Sequence, residues 1–156
     1  MTAKLEPGKK APAFDLPTDG EGRIKLAGLK GQKVVLYFYP KDDTSGCTQE
    51  AIEFNGLRKQ FEKIETLILG VSPDPVKSHD KFKAKHGLEF GLISDESKAM
   101  LEAYGVWVEK SMYGRKYMGV ERTTVLIGAD GKIAQVWNKV KVPGHAKEVL
   151  AAAKAL

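Results

Sequence analysis

Apolar positions along this 156-residue chain recur in two alternating rhythms, and the rhythm changes at Gly, Pro or Asp. "VVLYFY", Val34 to Tyr39, is apolar throughout, β-branched and aromatic, and stops at Pro40; this predicts a central strand buried on both faces. After Cys47, Ala51, Phe54, Leu57 and Phe61 recur at steps of three and four, the spacing of a helix packed on a sheet. "TLILGVS", Thr66 to Ser72, predicts a second buried strand. Asp74 and Pro75 then supply an N-cap and a first-turn proline for a helix that stops near Gly87. "FGLIS", Phe90 to Ser94, and "SKAMLEAYG" repeat the strand–helix unit, with Gly105 after the last turn.

The flanks differ. "AFDLPTDGEGRIKLAGL" alternates around Asp19-Gly20 and predicts a small N-terminal hairpin, whereas Val106 to Val120 is irregular and reads as a loop. "TTVLIGADGKIAQVWNKV" predicts two strands joined through Asp130-Gly131, and Ala146, Val149, Leu150 and Ala153 form the buried stripe of a last helix from about Gly144. The order is hairpin, then βαβαβα, then ββα. It predicts an α/β, thioredoxin-like fold: a central mixed β-sheet flanked by helices, with an N-terminal hairpin, as a single domain over residues 1–156.

Composition excludes several alternatives. With 42% hydrophobic and 29% charged residues the chain fits a globular protein, and no apolar run approaches the roughly 20 residues that span a bilayer. "MTAKLEPGKKAPAF" lacks a secretory signal pattern, so a cytoplasmic location is expected. The net charge of +5 is dispersed, and "KFKAKHG" and "KSMYGRKY" read as solvated faces rather than a nucleic-acid surface. His79, His86 and His145 have no ligand cluster at metal spacing, and no Gly-rich phosphate loop occurs, so no metal or cofactor is expected. His79 and His86 read as helix-surface residues. Trp107, Trp137, Tyr113, Tyr117, Met112 and Met118 read as packing residues.

Candidate chemistry centres on Cys47, the one cysteine, which cannot form a disulfide within the chain. It stands at the first turn of a predicted helix, where unpaired backbone N–H groups and the positive end of the dipole favour a thiolate. A lone cysteine is often a small buried hydrophobe, but the polar, turn-forming "PKDDTSG" before it argues against a core site.

Pro40, Thr44 and Cys47 match a Pro-x-x-x-Thr-x-x-Cys pattern, and "YFYPKDDTSGCTQEA" resembles the active-site segment of the Q-type peroxiredoxins, also called bacterioferritin comigratory proteins. "GVSPDPVKSHDKF", "MYGRKYMGVERTT" and "NKVKVPGH" extend the resemblance over nearly the whole chain, and Arg122 in "ERTTVLIG" resembles the family's arginine-bearing strand. The resemblance implies a peroxidatic nucleophile at Cys47, a Thr44 hydroxyl that hydrogen-bonds peroxide, and an Arg122 that stabilises the thiolate and the charge on the breaking O–O bond. It also implies that Pro40 walls the sulfur from solvent. Glu50, one turn after Cys47, is a supporting candidate for orienting Arg122. Read singly, Thr44 is also a helix cap, Arg122 a salt-bridged strand residue, Pro40 a strand terminator and Glu50 a solvated helix residue.

The chain departs from many such enzymes where a resolving cysteine is expected, having Ile52 at one position and Lys83 at the other. The resemblance therefore implies a one-cysteine peroxidase for hydrogen peroxide and small organic hydroperoxides. Its sulfenic acid would be reduced by an external thiol such as thioredoxin, glutaredoxin or glutathione, with the chain acting as a monomer. The alternative is a redox-responsive binding protein that is oxidised at Cys47 with little turnover.

Overall fold

Side chains of a strand alternate between faces, so a strand that is apolar at every position must be covered twice. Val35, Tyr37 and Tyr39 enter one buried cluster, while Val34, Leu36 and Phe38 enter another on the opposite face. In the computed structural model, which describes residues 5–156, this segment is β3 (Lys33–Phe38), near the middle of a seven-stranded sheet.

The remaining strands of that sheet are β1 (Asp15–Thr18), β2 (Gly22–Lys25), β4 (Thr66–Ser72), β5 (Gly91–Ser94), β8 (Thr123–Ile127) and β9 (Ile133–Trp137). Their order is β2-β1-β5-β4-β3-β8-β9; β3, β4 and β5 run parallel, and the other neighbouring pairs run antiparallel. The helices are α1 (Ser45–Lys63), α2 (Val76–His86), α3 (Ala99–Ala103) and α4 (His145–Ala155). The sheet is mixed and flanked by helices, as the element order predicted, and the N-terminal hairpin forms its outer edge.

The cluster on the Tyr37 face takes Ala51, Phe54 and Phe61 from α1, Phe82 from α2 and Val149 from α4; the other takes Met100 and Leu101 from α3. Full burial of Phe54 and Phe61 contributes on the order of 2–3 kcal/mol each. Gly70 makes room for the Tyr37 side chain: a Cβ there would stand 2.9 Å from the Tyr37 ring and hydroxyl. Gly87, at φ +62°, ends α2 in the left-handed conformation that glycine adopts without strain.

Three expectations need correction. Val106 to Val120 is no loop but a separate two-stranded ribbon, β6 (Trp107–Met112) and β7 (Arg115–Val120), closed by Tyr113 at φ +52° and Gly114 at φ +78°. Positive φ at both central residues is the hairpin turn that matches strand twist, and a tyrosine in that position does not announce it. Asp74 is not the cap of α2; Pro75 holds that place, and the Asp74 carboxylate accepts instead from Ser72 Oγ (2.8 Å) and the Asp42 N–H (2.8 Å). Tyr113, Met112, Met118 and Tyr117 are exposed, not packed.

Candidate active site

The segment from Tyr39 to Thr44 joins the central strand to α1, and two aspartates fasten it. Asp42 is buried and accepts from Tyr39 Oη (2.6 Å), Ser78 Oγ (2.8 Å) and His79 Nδ1 (2.7 Å). Asp43, at φ +61°, accepts from Lys85 Nζ (2.7 Å) and His86 Nε2 (3.0 Å) in the last turn of α2, which hold its carboxyl below the usual range.

His79 is fully buried, contrary to the helix-surface expectation. Its second nitrogen faces the Ile93 carbonyl at 3.0 Å, so both ring nitrogens meet acceptors and both must donate. Burial opposes the charge, but Asp42 and the Ile93 carbonyl outweigh it and raise the imidazole above its ordinary value. Ligand atoms of Asp42, Asp74 and His79 lie within 4.8 Å of one another, each already engaged in these hydrogen bonds. Sequence reasoning missed this network, although Phe82, three residues after His79, marks the buried side of α2.

The first helical bond of α1 runs from the Thr48 N–H to the Thr44 carbonyl at 2.8 Å, which leaves the N–H groups of Ser45, Gly46 and Cys47 ahead of the ladder. These donors and the field of a 19-residue helix converge where Cys47 sits. Thr44 is exposed, and its hydroxyl makes no cap bond; it donates to the Lys41 carbonyl at 2.9 Å, leaving its oxygen lone pairs available. Pro40 is half-buried at the head of this loop.

Cys47 is 1% exposed, yet its sulfur does not lie in a purely apolar pocket. Arg122 Nη2 donates to Sγ at 3.3 Å, while Nη1 of the same guanidinium donates to Glu50 Oε1 at 2.6 Å. Arg122 stands between β7 and β8, and its carbonyl accepts from the Val140 N–H at 3.0 Å. Gly46 gives the guanidinium passage, since a Cβ there would stand 3.3 Å from Nη2.

The electrostatics follow from this burial. Glu50 is 1% exposed, and burial pushes its carboxyl up to about 7 against the opposing pull of Arg122. Burial also works against the Arg122 charge, but Glu50 and Cys47 more than offset it and hold the guanidinium above its usual range. Glu50 Oε2 and the Tyr37 hydroxyl are buried with no hydrogen-bond partner among the described residues. Tyr37 is raised well above the usual tyrosine range by burial, then by Glu50 and Cys47. Strand alternation from Tyr39 puts Tyr37 on the α1 face, a signal that sequence reasoning left unused.

The structure thus brings Cys47, Arg122 and Glu50 together, with Thr44 and Pro40 on the loop that leads into them. At the two positions considered for a resolving thiol, Ile52 is 51% exposed and Lys83 pairs with Asp19 at 2.7 Å. Neither can supply a thiol, so Cys47 has no disulfide partner within the chain.

Comparison with known proteins identifies the family. The AhpC/TSA family matches residues 7–136. Peroxiredoxin Bcp of Xanthomonas campestris is 50% identical over 147 residues, covering 93% of this chain and 92% of that protein. Peroxiredoxin Bcp of Bacillus subtilis is 45% identical over 146 residues, covering 94% and 93%. Among solved structures, the X. campestris bacterioferritin comigratory protein superposes with a TM-score of 0.91 at 45% identity, covering 96% of this chain and 98% of that one. A variant of Xylella fastidiosa PrxQ gives 0.93 at 44%, covering 98% of each chain. No relative here supports the binding-protein alternative. The chain belongs to the AhpC/TSA family, among its Bcp/PrxQ peroxiredoxins, and is a one-cysteine thiol peroxidase.

Proposed function

We propose that Cys47 is the peroxidatic nucleophile, that Arg122 and Thr44 orient and polarise the peroxide, and that Glu50 positions Arg122. The observation that carries this reading is the 3.3 Å contact from Arg122 Nη2 to the sulfur, with Nη1 held by a buried carboxyl. A guanidinium fixed at one end and always protonated favours the thiolate before reaction and the charge on the departing oxygen during it.

In the first step the Cys47 thiolate attacks one peroxide oxygen; the S–O bond forms as the O–O bond breaks. Sulfur gives up two electrons, and the departing oxygen takes a proton and leaves as water or an alcohol. In the second, one external thiol condenses with the sulfenic acid, releasing water and leaving a mixed disulfide. A second thiol then displaces Cys47 and carries the disulfide away.

The small exposure of Cys47 suits slender substrates, hydrogen peroxide and small organic hydroperoxides. Pro40 contributes by shielding one side of the sulfur. Cys47, Arg122 and Glu50 come from one chain, which supports a monomeric, single-domain working unit. The cytoplasm, which keeps a lone thiol reduced, is the compartment that suits the cycle. Among the described residues no helix is long and apolar enough to cross a membrane.

Peroxide consumption in excess dithiothreitol tests the reading. Sustained turnover that disappears in Cys47→Ser supports it, and consumption that halts after one equivalent contradicts it.

A further inference from the structure

The β6–β7 ribbon holds large side chains in solvent: Tyr113 is 98% exposed, Met112 56%, Met118 49% and Tyr117 43%. Tyrosine and methionine are enriched where one protein meets another, and four of them on one short ribbon is more than scattered surface exposure explains. Strand register places Lys110 opposite Tyr117 and Met112 opposite Arg115 on one face. The Lys110 stem lies over Gly119, where a Cβ would stand 3.3 Å from Lys110 Cδ.

Basic residues stand on the ribbon and on the segment that follows β9. The ribbon carries Lys110, Arg115 and Lys116 against Glu109, and residues 138–143 add Lys139 and Lys141 with no acid. Lys116 pairs with Glu109 at 3.7 Å; Lys110, Arg115, Lys139 and Lys141 form no ion pair among the described residues.

Both basic segments are tied to Arg122. β7 ends two residues before it, and Val140, inside the second segment, donates its N–H to the Arg122 carbonyl. The five residues from Tyr117 to Arg122 reach at most about 18 Å. One partner's share of a standard interface, about 800 Å², is a patch roughly 30 Å across. A protein seated at the base of the ribbon therefore comes within reach of Arg122, whose guanidinium contacts the Cys47 sulfur.

We propose that this basic, tyrosine- and methionine-bearing rim docks the protein dithiol that reduces Cys47, and that this partner carries an acidic surface around its reactive cysteine. The inference rests on the thiol-dependent cycle above. With no second cysteine in the chain, both reducing thiols must arrive from outside, and a dithiol protein delivers them in one encounter: the first condenses with the sulfenic acid and releases water, and the second closes the partner's own disulfide. Opposite charge steers that encounter and makes its rate fall with salt.

The test compares the unsubstituted chain with K110E/R115E and K139E/K141E, none of which alters Cys47, Thr44, Glu50 or Arg122. Each is supplied with dithiothreitol or with an acidic thioredoxin recycled by its reductase, at about 0.01 M and about 0.3 M salt, between which the Debye length falls from about 30 Å to about 6 Å. The proposal predicts that both charge reversals lower kcat/KM for thioredoxin about tenfold at low salt, lose most of its salt dependence, and leave dithiothreitol-supported turnover unchanged. It is overturned if the thioredoxin rate is unmoved, if both reductants lose equally, or if the unsubstituted chain turns over with dithiothreitol but not with thioredoxin. Failure of dithiothreitol turnover in the unsubstituted chain would instead remove the peroxidase cycle, and the docking face with it.

Discussion

Cys47 and Arg122 are 75 residues apart in the chain, yet the Arg122 guanidinium donates to the Cys47 sulfur at 3.3 Å. One element brings the cysteine, the start of α1; another brings the arginine, the short link from β7 to β8. The contact joins a helix N-terminus to a fixed cation, so two independent sources of positive potential meet at one sulfur.

Replacing Arg122 tests the cation. Arg122→Met should lower the second-order rate of Cys47 oxidation by about 10²–10³, as loss of a preorganised donor does elsewhere. Arg122→Lys should recover only part of it, because an ammonium cannot serve Sγ and Glu50 with two fixed N–H groups. Stopped-flow oxidation under single-turnover conditions measures both. A rate within twofold of the unsubstituted protein in either variant would remove Arg122 from the chemistry.

Thr44 separates a catalytic from a structural role. Its hydroxyl does not cap α1, so Thr44→Val should change the unfolding free energy by only about 0.5 kcal/mol, the scale of a surface change. The same variant should slow peroxide reaction at least about tenfold, with Thr44→Ser close to normal, as expected for loss of a positioned hydrogen bond. Equal losses of stability and rate would make Thr44 a fold residue.

Glu50 gives a pH test with a definite sign. Its folded value, about 7, lies above the usual 4.5, so its contribution to stability is full below 4.5 and is lost as pH rises through about 7. Glu50→Gln does not titrate, so from pH 5 to pH 8 it should gain on the unsubstituted protein by roughly 1–3 kcal/mol. Its peroxide rate should fall, since a neutral amide holds Arg122 less firmly. Urea midpoints across that range decide the matter; a stability gap independent of pH would contradict the placement of a titrating carboxyl here.

His79 titrates with the same sign from a different cause. Raised by its bonds to Asp42 and Ile93, it contributes fully below the ordinary histidine value, near 6.5, and that contribution is lost as pH rises through its raised value. His79→Ala should cost about 3 kcal/mol at pH 6, the scale of breaking a buried ion pair, and less at pH 9. A cost that grew with pH would mean that the ring is neutral in the fold.

Much of the architecture was readable from periodicity. The fully apolar β3 and β4, the three-and-four spacing of α1 and the turn at Asp130-Gly131 each state one local preference that the sheet satisfies. The β6–β7 ribbon was not readable, because its outward methionines and tyrosines blur the alternation and Tyr113 adopts a turn conformation that its residue type disfavours. His79 was misread because four of the eleven residues of α2 are lysines and the residue that pairs with the imidazole, Asp42, lies 37 positions away. At the site, spacing alone gave Cys47 its helix N-terminus and Glu50 its neighbouring turn. Arg122 came from resemblance, since no local pattern links it to a cysteine 75 residues earlier.

The most direct test of the central claim is oxidation of the fully reduced protein by one equivalent of hydrogen peroxide in the presence of dimedone, followed by intact and peptide mass measurement. The account predicts one dimedone adduct, on the peptide containing Cys47, formed orders of magnitude faster than on free cysteine and absent in Cys47→Ser. A thiol still unmodified under these conditions, or one reacting no faster than free cysteine, would contradict it.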